Sequence, residues 1–215
     1  MLVLTFAGTI VSAQMVIEDL TTTLERASTL AAHGTRKILG IAGPPGGGKS
    51  TVARAVVAEL GDRARLVPMD GFHLAQSELV RLGRRDRMGA PDTFDAAGYA
   101  ALLRRLRTDE PVVYAPEFRR EIEEPIAGAI AVPKTVPLVV TEGNYLLHWP
   151  DIKPLLDEAW YVETDEELRV ERLIQRHIEF GKTPEYARAW VKRSDERNAK
   201  LVARTADKAD HLVRL

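Results

Sequence analysis

The stretch Ile38-Leu-Gly-Ile-Ala42-Gly43-Pro44-Pro45-Gly46-Gly47-Gly48-Lys49-Ser50-Thr51 joins an apolar, strand-like run to a loop that satisfies G-x-x-x-x-G-K-[ST]; a helix-forming run from Val52 to Leu60 follows. The spacing has a chemical reason. Glycines let successive backbone N–H groups turn toward phosphate oxygens, Lys49 supplies a point charge for the outer phosphates, and the Ser50 hydroxyl is of the type that ligates Mg2+. The helix that starts here adds the positive end of its dipole. A Gly-rich turn alone carries little information, but a strand before it and a helix after it form the context this motif requires. Gly43, Pro44, Pro45, Gly46, Gly47, Gly48, Lys49, Ser50 and Thr51 therefore read as a P-loop that binds a triphosphate, ATP being the nucleotide expected.

Working outward, 215 residues suit one domain, or one domain with a small lid. Hydrophobic residues make up 45% and charged residues 28%, an ordinary globular balance that excludes wholesale disorder. The net charge of -1 gives no general attraction for nucleic acid or an anionic membrane, so affinity for anions has to be local. Without cysteine the chain has no disulfide, zinc–thiolate site or cysteine nucleophile. Met1 to Ala13 imitates a signal peptide in its apolar run and its Val11-Ser12-Ala13 end. It has no basic residue ahead of that run and is too short to span a bilayer, so it reads as an extension, or as residues ahead of a start at Met15, in a cytoplasmic protein. Residues 1–36 are assigned to an N-terminal extension and helix, and residues 37–215 to the P-loop domain, with a lid over roughly 165–200.

Periodicity places helices over 17–32, 51–60, 74–82, 96–107, 165–180 and 183–202, and strands over 37–42, 65–69, 112–114, 137–141, 159–162 and 211–215. Residues 115–137 read as proline-punctuated loop with one strand at 129–132. In a parallel sheet, ligands collect at the carboxyl ends of the strands. Two acidic residues fall there. Asp70, in Asp70-Gly71-Phe72-His73, can take a proton from a hydroxyl or ligate Mg2+, although a turn Asp before Gly explains the same pattern; Glu142 is the second acidic group, with a plain strand end as its alternative. Arg84, Arg85 and Arg87 crowd an irregular loop and fit either an anion site or a solvated face. Arg169, Arg172 and Arg176 share one helix face, which serves as a lid over a triphosphate or as solvated surface; Arg172 and Arg176 are the stronger candidates.

Taken together, Gly43 to Thr51, Pro68-Met-Asp-Gly-Phe-His73, Gly89-Ala-Pro-Asp-Thr-Phe-Asp95, Thr141-Glu-Gly-Asn-Tyr145, Arg176-His177 and Asp195 with Asn198 resemble the phosphoribulokinase, uridine kinase and pantothenate kinase group of P-loop kinases. Within that group the chain is most similar to the branch labelled fructose-transport-system kinase. The resemblance implies an α/β, three-layer P-loop NTPase fold with a mainly parallel central sheet and a helical lid. It implies transfer of the gamma-phosphoryl group of ATP, with Mg2+, to a hydroxyl of a small metabolite, a fructose-like sugar first. A nucleoside or a pantothenate-like alcohol is the alternative acceptor, and a nucleotide-dependent regulatory NTPase the alternative class. Asp70 becomes the base, working with Lys49, Arg172 and Arg176; Ser50, Asp70 and Glu142 become the metal set; His73, Arg87, Asp92, Phe94, Glu142 and Tyr145 become the substrate-binding set. No nucleic-acid or membrane partner is implied, and a homodimer is left open. One departure bears on the acceptor: relatives often carry Asp after the Phe of the excursion, where this chain has Pro116-Glu-Phe-Arg119-Arg120.

Overall fold

The computed structural model describes residues 15–17 and 19–214. The apolar run before the P-loop forms β2 (Lys37–Ala42), whose residues are buried almost throughout because both faces of the sheet are covered. Its neighbours are β6 (Leu138–Gly143) and β7 (Glu158–Glu163), equally apolar in pattern. β3 (Ala64–Leu66) lies at one edge beside β6, while β8 (His211–Arg214) and β1 (Met15–Ile17) complete the other side. The order is β1-β8-β7-β2-β6-β3 and every pairing is parallel. Their carboxyl ends therefore share one edge. Pro68 falls just past β3, where the missing N–H interrupts no ladder.

Helices cover both faces. On one side α1 (Leu20–Ala31) and α2 (Lys49–Leu60) pack Ala27, Leu30, Val52 and Val56 against Leu39, Ile41, Val140 and Trp160. Asp19 caps α1 by accepting from the Thr22 N–H at 2.7 Å. On the other side α4 (Ala96–Arg105), capped by Asp95, buries Tyr99, Leu102 and Leu103 with the segment that follows β6. α3 (Gln76–Arg81) is a short surface helix between them in sequence. The expected α/β three-layer arrangement is present.

Three expectations change. Residues 15–17 and 19–31 pack with the domain: β1 pairs with β8 and α1 contributes to the core, so packing shows no boundary at residue 36. Residues 112–133 form an antiparallel hairpin, β4 (Val112–Arg119) with β5 (Glu124–Pro133), where a loop with short strands was expected. A two-stranded ribbon has two free edges, and Pro116 sits at a register shift between Ala115 and Glu117, so its prolines do not break a central ladder. The region after residue 183 is α6 (Pro184–Trp190), a π-helical turn (Val191–Asp195) and α7 (Glu196–Ala203), where one continuous helix was expected. α5 (Glu166–Glu179) matches its expected place, with Asp165 as N-cap. The readings for residues 1–14 and for Leu215 lie outside the described residues. Among the described residues no helix is long and apolar enough to cross a membrane.

Candidate active site

The P-loop leaves β2 and enters α2. Gly46 and Gly48 take left-handed φ values of 76° and 88°, and a Cβ on Gly46 would stand 2.7 Å from the Arg169 carbonyl oxygen, so the loop tucks beneath α5 only as glycine. It is braced from outside. The Thr164 hydroxyl donates to the Gly47 carbonyl at 2.7 Å, and buried Arg169 donates to the Pro45 carbonyl at 3.4 Å while pairing with Glu196. Arg169 therefore serves the loop's shape, unlike its two companions on the helix face. Lys49 is 8% exposed and its Nζ donates to the Pro44 carbonyl at 2.9 Å, folded across the loop. Burial pushes its ammonium down to about 8, opposed by Glu142 and Asp70 and assisted by Arg176 and Arg120.

The acidic groups arrive from two strand ends. Glu142 is the penultimate residue of β6, and its Oε1 accepts from the Ser50 hydroxyl at 2.9 Å. Asp70 lies in the 3-10 turn Met69–Phe72 beyond β3, and its Oδ2 accepts from Arg120 Nη2 at 2.8 Å. Burial raises the Asp70 carboxyl, but Arg120, with His73, Lys49 and Arg176, outweighs it and holds the group below its usual range. Glu142 moves the other way, raised by burial and by the charge of Asp70. Two such carboxylates beside a hydroxyl suit Mg2+, which takes one or two carboxylates and fills its remaining positions with water and phosphate oxygens. The residues present thus fit a magnesium–nucleotide complex: a glycine cradle, Lys49, and the Ser50–Glu142–Asp70 donor set.

These groups open into a single cavity of about 520 Å3 that continues from Lys49 and Ser50 to a ring wall of His73, Phe94 and Phe118. His73 stacks on Phe94 with centroids 3.9 Å apart, and Phe118 lies 4.6 Å from His73. Burial lowers the His73 imidazole to about 4, so it is neutral at pH 7, and its Nδ1 is buried without a hydrogen-bond partner. Arg176 faces this cavity from α5; Arg172 is exposed beside the P-loop, its Nη1 3.9 Å from where a Cβ on Gly48 would stand.

Three sequence candidates sit elsewhere. Arg87 and Asp92 pair with each other at 2.8 Å, both exposed, and line a neighbouring groove, because the turn between them folds the two side chains together on the outer face. Tyr145 is fully buried and donates its hydroxyl to the Gly89 carbonyl at 2.5 Å, so it supports the loop from behind and does not line the cavity. Conversely, Arg120 and Phe118 escaped the reading of the residues as a site, since only the hairpin brings them to Asp70 and His73. The unexpected pair Arg119-Arg120 was the available signal. The π-helical turn adds buried Asp195, 2.9 Å from His177 Nε2, and the buried Asn198 of α7 follows it.

A model of the family described as Phosphoribulokinase / Uridine kinase matches residues 38–215. The chain belongs to the phosphoribulokinase/uridine kinase family. It is 33% identical over 171 residues to a provisionally named uridine kinase of Schizosaccharomyces pombe, covering 73% of this chain and 72% of that protein. It is 31% identical to a pantothenate kinase of Limosilactobacillus reuteri over 65% of this chain and 48% of that protein. Among solved structures, a provisionally named fructose transport system kinase from Silicibacter sp. TM1040 superposes with a TM-score of 0.81 at 30% identity, covering 92% of this chain and 99% of that one. This member of the phosphoribulokinase/uridine kinase family is a nucleotide-binding P-loop kinase.

Proposed function

We propose that this kinase transfers the gamma-phosphoryl group of ATP to a hydroxyl of a small sugar-like metabolite held against the His73, Phe94 and Phe118 wall. The observation that carries the reading is continuity: one cavity joins the P-loop Lys49 to Asp70 and on to the ring wall, so donor and acceptor meet at Asp70. Asp70, held below its usual range by Arg120 and its neighbours, orients the attacking hydroxyl and takes up its proton as the new P–O bond forms, the bond from the gamma phosphorus to the β–γ bridging oxygen breaks and ADP leaves. Lys49 and the loop amides hold the phosphates, and Arg176 with Arg172 offsets charge on the transferred group. Ser50, Asp70 and Glu142 hold Mg2+, which when bound neutralises phosphate charge. The aromatic wall beside polar Asn144, Asp195 and Asn198 suits the mixed faces of a sugar, and the Silicibacter relative's name points the same way.

The test is ADP release across a panel of ketoses, aldoses, nucleosides and pantothenate-like alcohols. The expected outcome is strict acceptor dependence with a sugar as the best substrate. Preference for a nucleoside or a pantothenate-like alcohol would replace the sugar assignment, and hydrolysis indifferent to every acceptor would replace the kinase reading with that of a regulatory NTPase. Asp70→Asn should lower acceptor-dependent turnover by roughly 10²–10⁴-fold while nucleotide affinity measured without divalent metal is kept.

A further inference from the structure

Beside the catalytic cavity lies a second, larger groove of about 1040 Å3, between the loop that ends at Asp92 and the outer side of the π-helical turn and α7. Six basic residues line it: Arg87, Lys192, Arg193, Arg197, Lys200 and Arg204. The acids on the same wall are largely committed. Asp92 pairs with Arg87 at 2.8 Å, and Glu196 pairs with Arg169 behind the P-loop, which leaves Asp86 as the remaining carboxylate. Among the described residues, Lys192, Arg197, Lys200 and Arg204 form no ion pair or hydrogen bond through their side chains, and Arg193 makes only a contact 5.3 Å over the Trp190 ring.

Like charges gathered this closely repel one another, and the arrangement follows from no general excess, since the chain carries 30 basic against 31 acidic residues. On α7 and its C-cap, Arg197, Lys200 and Arg204 recur at steps of three and four, so one helix face presents them together. We propose that this groove is an anion site for a phosphorylated small molecule bearing two or more phosphate groups, distinct from the P-loop. The size fits a metabolite, and Ala90, Pro91 and Leu201 give its less polar part a place to rest. A polynucleotide would need a basic surface continuing well beyond one groove, which the near-neutral charge balance of the chain does not favour.

The groove is also joined to the catalytic cavity. Asp86, Arg193 and Asn198 border both, and Asn198 donates to the Gly89 carbonyl at 3.3 Å, the same oxygen that accepts from Tyr145. An anion held by α7 therefore sits against the loop that walls the acceptor end.

The probe is tripolyphosphate, titrated calorimetrically without divalent metal into the full chain carrying Lys49→Ala, which weakens the P-loop site. Adding Arg197→Ala, Lys200→Ala and Arg204→Ala to that background should weaken the remaining binding tenfold or more. The charge-preserving set Arg197→Lys and Arg204→Lys should bind within a few-fold of the Lys49→Ala parent, which guards against loss of fold as the cause. Three results would overturn the proposal: unchanged affinity after the triple substitution, disappearance of all binding with Lys49→Ala alone, or a 20-nucleotide single strand binding more tightly than tripolyphosphate through the same three residues.

Discussion

Asp70 and Arg120 meet across 2.8 Å from opposite ends of the chain's topology, one from a strand end in the main sheet and one from the hairpin. That pairing opposes the upward pull of burial and, with the other nearby positive charges, holds the carboxyl below its usual range. His73, three residues on, shows the same burial acting on a base: its imidazole titrates at about 4 against an ordinary 6.5. Between those values the unfolded chain binds a proton on this ring that the folded chain refuses, so acidification through the window favours unfolding. The group's contribution is complete above pH 6.5 and is lost as pH falls toward 4. Thermal melts of the wild type and His73→Gln at pH 7 and pH 5 check this: the wild type should lose more stability on acidification than the variant, and equal losses would assign the acid sensitivity to other groups. At this scale the placement of the P-loop, Asp70 and Glu142 at the carboxyl edge of the sheet was legible, because each follows a strand-like run within a few residues. Arg120 was not, since its partner lies fifty positions away and only the hairpin joins them.

The hairpin is the element that the sequence hid. Pro116, Pro125 and Pro133 read as loop punctuation, yet in a two-stranded ribbon every strand is an edge, where proline is tolerated, and Val113, Ala115 and Val132 still alternate into the core. The π-helical turn was hidden for a different reason: helical periodicity continues through it in sequence while its backbone adds a residue to the turn, which carries Ser194 and Asp195 inward. Contact between the hairpin and the Asp70 turn is close enough to test. A Cβ on Gly71 would overlap the Pro116 carbonyl, a backbone atom that cannot swing aside. Gly71→Ala should therefore push β4 away from the turn, at a cost of about 1–3 kcal/mol, and separate Arg120 from Asp70. Denaturant melts and acceptor-dependent turnover read the two effects; a variant with wild-type stability and turnover would show that hairpin position does not matter to the site.

Across the whole molecule, the parallel sheet gathers the P-loop, Asp70, Glu142 and Thr164 at one edge, and for the P-loop, Asp70 and Glu142 this followed from the strand-like runs that precede them. What did not follow was how far the domain reaches toward its N-terminus. The family match begins at residue 38, and α1 precedes it, but Ala27, Leu30 and Ala31 fill the same side of the core as Val52 and Val56 of the P-loop helix. The floor beneath α2 is thus built partly from residues outside the matched region. Leu30 is 6% exposed, and truncating it leaves a void against the sheet. Leu30→Ala should cost about 2–5 kcal/mol of folding stability, each kcal/mol lowering Tm by roughly 2–4 °C in a chain of this size. Because Leu30 belongs to the buried cluster that also holds Val52 and Val56 of α2 and contains no P-loop glycine, Lys49 or Ser50, nucleotide affinity measured well below Tm should remain that of the wild type. A stability loss under about 0.5 kcal/mol, the usual effect of a surface substitution, would return α1 to the status of an appendage. Weakened nucleotide binding in the folded variant would instead mean that α1 tunes the P-loop through α2.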